Sequence, residues 1–293
     1  MFLKAVKRLA RPAYAQLVDM LPAKWHVMLD YLRAHGRLPD LKHPRTFNEK
    51  MAWRKLYERD PRFPDLIDKL KVKDIIGRAY GNELIIPTLA VYDRPADMDF
   101  TTAPLCMPPY VIKCNHGSAM NVFVKDESFA EATIREKLAA WLKIDHSNAT
   151  EEWAYSQITP KILVEPFLGN LVDYKFHVFS GAVYAIETVL DRYNSYRINI
   201  YDREWCSLGI QKYAGRPQSD HPVEPPKTLG DMLKLAEAIA RDFSYMRVDL
   251  YEINDKIKFG ELTIYAGAAI DRFEPVEWDW RFGQQWQTAK AMR

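Results

Sequence analysis

Residues 246–267 read MRVDLYEINDKIKFGELTIYAG. Polar and apolar residues alternate from Arg247 to Tyr251, Asn254-Asp255-Lys256 supplies a turn, and Lys258 to Tyr265 alternate again. Alternate side chains of a strand share a face, so the pattern predicts a hairpin. Arg247 and Asp249 share one face of its first strand, and Glu261 and Thr263 one face of its second. If the two faces coincide, two carboxylates and a guanidinium stand side by side. Buried carboxylates are costly unless cations meet them. The group is then either a structural ion cluster or a site for Mg²⁺, a hard ion that takes one or two carboxylates plus substrate phosphates. Thr263 would add a neutral oxygen, and Lys69, Lys113 and Lys175 would suit phosphate oxygens.

The same parity applies to VDYKFHVF, residues 172–179. Asp173, Lys175 and His177 share one face, and Tyr174, Phe176 and Val178 the other. Taken alone, such a polar row is an ordinary solvated face. Its repetition on successive strands points to a site.

Around this core the chain has the composition of a globular protein: 293 residues, 48% hydrophobic, 27% charged and 13% aromatic. A net charge of +2 is too small to mark a nucleic-acid binder. The charge is uneven: residues 1–60 hold 13 Lys/Arg against 6 Asp/Glu, or +7, leaving −5 on the rest. Three widely spaced cysteines, Cys106, Cys114 and Cys206, form neither a disulfide framework nor a metal knuckle, which suits a reducing, cytoplasmic compartment. Cys114 has no base nearby in sequence and reads as a packed thiol. No apolar run approaches the length of a membrane span. The stretch MFLKAVKRLARPAYAQLVDML reads as a basic amphipathic helix broken near Pro12, either docked on its own domain or in peripheral contact with the inner face of a membrane.

Residues 1–60 read as irregularly broken helices, with Thr46 or Asn48 as an N-cap. PDLIDKLKVKDIIGRAYG is a further helix closing at Gly77 or Gly81, ESFAEATIREKLAAWLKID another, and TLGDMLKLAEAIARDF a third, capped by Thr228. ELIIPTLAVYD, YVIKCNHG, PKILVEPFL, VDYKFHVFSG, AVYAIETVLD and SYRINIYDREW read as strands, and residues 215–228 as a proline-rich loop. The order gives an α+β fold with much antiparallel pairing. There is neither a GxGxxG nor a GxxxxGK[ST], so Rossmann and Walker nucleotide sites are excluded.

DKLKVK, VIKCNHGS, VEPFL and the 246–267 hairpin, in that order, resemble the ATP-grasp superfamily. HPRTFNEKMAWRKLY, DYKFHVFSG and KFGELTIYAG resemble its TupA-like branch, the teichuronopeptide-biosynthesis proteins of bacterial surface-polysaccharide pathways. The resemblance spans about residues 40–285 and implies an ATP-grasp domain at 61–293, with subdomains at about 61–160 and 161–293, behind a helical basic segment at 1–60. It implies Mg²⁺ and ATP as cofactors. By the same resemblance Lys69 (Lys73 as its neighbouring alternative) and Lys113 hold phosphates, and NHGSAMN is the loop over them. Glu165, Phe167 and Leu168 read adenine, Asp173 the ribose, and Lys175 reaches phosphate. Asp249 and Glu261 hold magnesium with Thr263, and Arg247 acts on the developing oxyanion. Three departures stand out, one being Tyr265-Ala266-Gly267-Ala268-Ala269 in place of the branch's proline and small-residue turn. Glu261-Leu262-Thr263 replaces the usual Glu-x-Asn, and Ala119 stands where glycine is more usual.

The implied reaction is ligation of a sugar-acid or amino-acid carboxylate to an amine through an acyl phosphate. A sugar-hydroxyl kinase and a glycosyltransferase-like protein are the alternatives. Trp153, Tyr155, Tyr193, Tyr196, Trp205, Trp278 and Trp280 are candidates either for stacking on sugar rings or for packing.

Overall fold

The alternation running through residues 173–263 folds into a five-stranded antiparallel sheet. Its strands are β5 (Asp173–Phe179), β6 (Ala182–Leu190), β7 (Arg197–Tyr201), β8 (Tyr245–Ile253) and β9 (Lys256–Thr263), in the order β7-β6-β5-β8-β9. A second sheet, of order β1-β4-β2-β3, is built from β1 (Ala90–Tyr92), β2 (Tyr110–Cys114), β3 (Asn121–Val124) and β4 (Ile162–Pro166). The computed structural model describes residues 22–126, 128–191, 196–212, 217–219 and 222–287. The helix expected in residues 1–21 and the aromatic Tyr193 lie outside these.

The helices are α1 (Ala23–His35), α2 (Phe47–Tyr57), α3 (Phe63–Ile67), α4 (Lys71–Tyr80), α5 (Glu131–Trp141), α6 (His146–Thr150), α7 (Leu229–Ala240) and α8 (Glu277–Gln285). Thr46 caps α2 in a reciprocal box: its hydroxyl accepts from the Glu49 amide at 3.2 Å while the Glu49 carboxylate accepts from the Thr46 amide at 3.2 Å. The alternative cap, Asn48, is buried instead, and donates to Asp279 Oδ1 and Asp271 O, each at 2.9 Å. Thr228 precedes α7 without capping it, because its amide and hydroxyl both donate to Glu252, at 2.8 and 2.6 Å.

Two expected elements come out shorter. Pro87 interrupts ELIIPTLAVYD: only Ala90–Tyr92 forms a strand, and Ile85 makes a single bridge to Phe259 of β9. The helix expected over PDLIDKLKVKDIIGRAYG is two helices, α3 and α4, broken at Asp68–Leu70. Asp68 is extended there, and its carboxylate accepts from the Leu70 amide at 2.9 Å and from Asn115 Nδ2 at 3.0 Å. That break turns Lys69 out of helical register toward β2 and the loop after it.

The larger core packs Phe47, Met51, Phe63, Ile76, Phe176, Val248, Leu262 and Trp286 together, so α1 to α4 belong to the five-stranded sheet. The smaller core gathers Met98, Tyr110, Ile112, Val124, Leu138 and Val164 around the four-stranded one. Cys114 lies in it, its thiol pushed up to about 11 by burial, which fits a packing role.

The hairpin turn places Asn254 and Asp255 at φ of 52° and 59°, as a tight two-residue connection requires. From Ile253↔Lys256 the register runs regularly to Leu250↔Phe259, then shifts so that Asp249 faces Glu261 and Arg247 faces Thr263. Gly260 is the inserted residue. A Cβ there would sit 2.9 Å from Asp249 O and 2.9 Å from the Tyr251 ring. Gly260→Ala is therefore expected to destabilise the fold by about 1–3 kcal/mol, read from urea denaturation. Unchanged stability would mean that the bulge has room to relax.

Candidate active site

The bulge makes the two hairpin faces coincide. One row across four strands is then Glu187, Lys175, Asp249 and Glu261, and the next carries Ala185, His177, Arg247 and Thr263. This face is not solvated: Asp173 is 2% exposed, Lys175 4%, His177 0% and Asp249 1%. The charges answer one another. Arg247 grips Asp249 with two nitrogens, at 2.7 and 2.8 Å, and also donates to Thr263 Oγ1 at 2.8 Å and Glu261 Oε1 at 3.3 Å. Lys175 bridges Asp249 at 2.5 Å and Asp173 at 2.8 Å. Burial pushes the Asp249 carboxyl up, but Arg247 and Lys175 outweigh it and hold the group below the usual carboxylate range.

A cleft between the sheets runs past this row. Lys69, Lys113, Glu165, Phe167, Leu168, Asp173 and Glu261 line it, so it gathers residues from both sheets. Lys175, Arg247, Asp249 and Thr263 stand behind Asp173 and Glu261, outside the lining. Lys73 is also in the lining, as the alternative to Lys69. Ile86, Val111, Phe123 and Phe167 make one part of the cleft apolar, suited to a flat ring, with Phe123 and Phe167 edge to face at 5.9 Å.

Glu165 has an engagement that sequence reasoning did not foresee. One carboxylate oxygen holds Lys73 and the other holds Lys113 at 2.5 Å. Lys73 also donates to Ile86 O at 2.9 Å and Thr88 Oγ1 at 3.0 Å. Burial raises the Glu165 carboxyl, but Lys113 and Lys73 bring it below its ordinary value. The Phe167 amide, expected at a ring edge, donates to Pro109 O at 3.3 Å. Lys69 donates to Gly117 O at 2.6 Å, which ties it to the NHGSAMN loop, and burial lowers its ammonium. Ala119 takes φ 59°, the left-handed conformation in which glycine is unstrained.

Sequence reasoning also missed a second buried cluster on the same face. Lys212, in the loop after β7, is fully buried between Glu187 at 3.2 Å and Asp271 at 3.0 Å. His177 lies 3.6 Å from Glu187 and shares a hydrogen bond of 3.0 Å with the Tyr245 hydroxyl. Burial takes His177 down to about 4, so it is neutral and structural rather than a base at neutral pH. Parity places Glu187 on a strand face, but no period marks Lys212 in its loop. The candidate aromatics mostly pack: Trp205 stacks on Tyr201 at 4.5 Å, and Trp153 donates to Glu58 O at 2.8 Å.

Charge on this face tests whether the site suits a metal. Lys175, Lys212 and Arg247 stand among Asp173, Glu187, Asp249, Glu261 and Asp271, so carboxylates outnumber cations among these residues. Across the cleft, Lys69, Lys73 and Lys113 meet Glu165, leaving an excess of positive charge. Among the described residues no three His, Cys, Asp or Glu side chains form a metal cage. A hard cation that arrives with a phosphate needs none, and hard carboxylate oxygens facing a cationic wall fit it.

A family model described as TupA-like ATPgrasp matches residues 49–287. A search of curated proteins finds no match. Solved structures similar to the chain include an L-amino acid ligase from Bacillus licheniformis, at 14% identity and a TM-score of 0.45, covering 70% of this chain and 44% of that one. A D-alanine–D-alanine ligase from Bacillus anthracis complexed with ATP matches at 15% identity and a TM-score of 0.39, covering 69% and 54%. The ATP-grasp ligase PsnB, complexed with a precursor variant, Mg and ADP, matches at 14% and 0.40, covering 74% and 54%. The chain thus spans about half the length of these structures.

Proposed function

Because this chain belongs to the TupA-like ATP-grasp family, we propose that it is an ADP-forming carboxylate–amine ligase that works with Mg²⁺–ATP on a sugar-acid or amino-acid carboxylate in a bacterial surface-polysaccharide pathway. The observation that carries the reading is the opposed charge of the two cleft walls. A polyphosphate fits against Lys69, Lys73 and Lys113, and its cation against Glu261 in the opposite wall, with Asp249 buried behind it.

In this reading the apolar end of the cleft, with Phe167 and Leu168, takes the base, and Asp173 takes the ribose hydroxyls. Lys113 and Lys69 orient the phosphates, and Lys113 exchanges Glu165 for a phosphate oxygen as the nucleotide enters. Asp249 and Glu261 would hold the metal, with Thr263 beside them. When bound, the metal supplies neutralisation of charge on the transferring phosphoryl group. Lys175 and Arg247 hold both oxygens of the Asp249 carboxylate just behind the cleft lining, so meeting a metal would loosen part of that pairing. The carboxylate substrate attacks the γ-phosphorus and ADP leaves. The amine then attacks the acyl phosphate and expels phosphate, and Arg247 steadies the oxyanion that forms.

Lys113→Ala and Lys69→Ala are each expected to weaken Mg²⁺–ATP binding by roughly 1.5–3 kcal/mol in calorimetric titration. Wild-type affinity in both would remove these lysines from the site. The reaction itself is tested by screening uronic acids and amino acids, each with an amine, for ADP release and identifying the product by mass. A new amide supports the proposal. A phosphoester, or no ADP with any pair, overturns it.

A further inference from the structure

The donors of the buried charged face are mostly committed. Lys175 and Lys212 each bridge two carboxylates. Arg247 spends Nε and Nη2 on Asp249, Glu261 and Thr263. Its third nitrogen, Nη1, makes no hydrogen bond among the described residues, and it reaches solvent. A guanidinium donates through all three of its nitrogens, so one donor edge of Arg247 is left open beside Glu261, which lines the cleft.

A second open donor stands close by. Tyr155 lies in the short turn Trp153–Gln157, which Trp153 fixes by donating to Glu58 O at 2.8 Å. The half-buried Tyr155 ring meets His146 edge to face at 4.7 Å, and His146 Nδ1 lies 3.5 Å from where a Cβ on Gly117 would be. Gly117 O in turn accepts from Lys69. The ring is thus held against the NHGSAMN loop, while its hydroxyl lies in the fields of Glu152, Glu261, Tyr265 and Arg247. That hydroxyl also makes no hydrogen bond among the described residues and also reaches solvent. Tyr155 and Arg247 are outside the cleft lining but adjoin Lys69 and Glu261, which are in it.

Electrostatics decide what the hydroxyl can do. Burial, reinforced by Glu152, Glu261 and Tyr265, holds the phenol well above its ordinary range, so it keeps its proton and serves as a donor. Burial also pushes Glu152 up to about 7, so that carboxyl sets only part of a negative charge against an arriving anion. A neutral donor suits this place, because a further lysine would compete for Glu261.

We propose that Nη1 of Arg247 and the Tyr155 hydroxyl together seat the carboxylate that the ligase activates, which makes Tyr155 a catalytic residue. One carboxylate oxygen turns toward the γ-phosphate, and the other accepts from Tyr155 and Arg247. That second oxygen gains charge when the amine attacks, and both donors already point at it. Tyr155 donates throughout and transfers no proton. The inference rests on the ligase reading and gives Tyr155 a role other than stacking or packing.

The test is Tyr155→Phe, which keeps the ring against His146. Hydroxylamine serves as the amine, and the uronic acids and amino acids of the ADP screen as carboxylates; hydroxamate and ADP are measured together. Turnover at saturating ATP is expected to fall about 100-fold. Mg²⁺–ATP affinity by calorimetry and the melting temperature should not change, because the hydroxyl bonds nothing in the fold. The pH profile of the residual rate should keep the wild-type shape, as suits a donor. Should the variant melt early, both proteins are compared at a temperature where each is folded. Wild-type turnover by the folded variant overturns the proposal. Weakened ATP binding overturns it too, by assigning Tyr155 to the nucleotide, and so does a lost limb of the pH profile, by making it a proton-transfer group. Failure of the ligase reading looks different: the wild type itself would form no hydroxamate with any carboxylate, and the seat would fall with it.

Discussion

Asp249→Asn is expected to reduce turnover by about two to three orders of magnitude at saturating ATP, and also to destabilise the protein by about 3–5 kcal/mol. Both effects come from one carboxylate with two duties. Its oxygens are held by Arg247 and Lys175 in a site closed to solvent, so losing the charge leaves two buried cations short of a partner. The same carboxylate faces Glu261, across the hairpin, where the metal is proposed to sit. The ion-cluster and catalytic readings of this hairpin therefore do not exclude each other, and the single variant cannot divide them. Lys175→Met combined with Asp249→Leu does. Replacing both members of a buried pair by apolar groups of similar bulk is often nearly neutral for stability. The double variant should recover only part of that stability, because Arg247 keeps Glu261 and Thr263 but still loses Asp249, and it should remain inactive. A folded double variant with near-normal turnover would reduce Asp249 to a structural ion. The pH dependence follows from the depressed Asp249 carboxyl. Its contribution to stability is present above the ordinary carboxylate range and is lost as pH falls through its lower folded value.

Lys212→Met is expected to lower stability by about 3–5 kcal/mol, because it strands Glu187 and Asp271 in the interior without their shared cation. The sign of the acid response should change with it. In the wild type, burial raises Glu187, but Lys212 and His177 outweigh it and hold the carboxyl well below its ordinary value, so its stabilisation disappears in acid. Burial depresses His177 as well, so its neutral form is lost at a cost as pH drops from about 6.5 toward 4. Without the Lys212 ammonium, protonating Glu187 relieves a buried charge that has lost its cation. The stability deficit of the variant should therefore shrink between neutral pH and about pH 5. Urea denaturation across that range measures it. A deficit independent of pH would mean that Lys212 acts through packing alone.

Much of the fold could be read from local pattern, because period-two alternation reports a strand whatever it pairs with. The strands at 173–179, 182–190 and 245–263 appear where the alternation puts them. What alternation cannot report is whether the other side of a strand meets water. The polar row of β5 has the sequence of a solvated face, yet it is sealed by Lys175 and Arg247 acting across strands. Helix breaks were equally hidden. Nothing in DKLKVK requires a stop at Asp68, which depends on Asn115, remote in sequence, donating to its carboxylate. Lys212 was out of reach for the same reason. Its partners lie on β6 and in the loop after β9, and a loop lysine has no period to betray it. The lysine clamp on Glu165 joins a helix to two strands, and only the assembled fold shows it.

The bulge at Gly260 has a bearing on how this hairpin can be transplanted or compared. Counted from the turn, Glu261 would stand opposite Val248, with its side chain directed into the core; counted from the start of β8, it stands opposite Asp249. The two counts differ by the single inserted glycine. Removing residue 260 would make the ladder regular and leave Glu261 opposite Asp249, whereas keeping the glycine in an unbulged ladder would turn Glu261 and Thr263 away from the cleft. A graft of this hairpin onto another sheet must therefore be indexed from Asp249 rather than from the turn, and an alignment through it must carry its gap at 260 to keep the two carboxylates in phase.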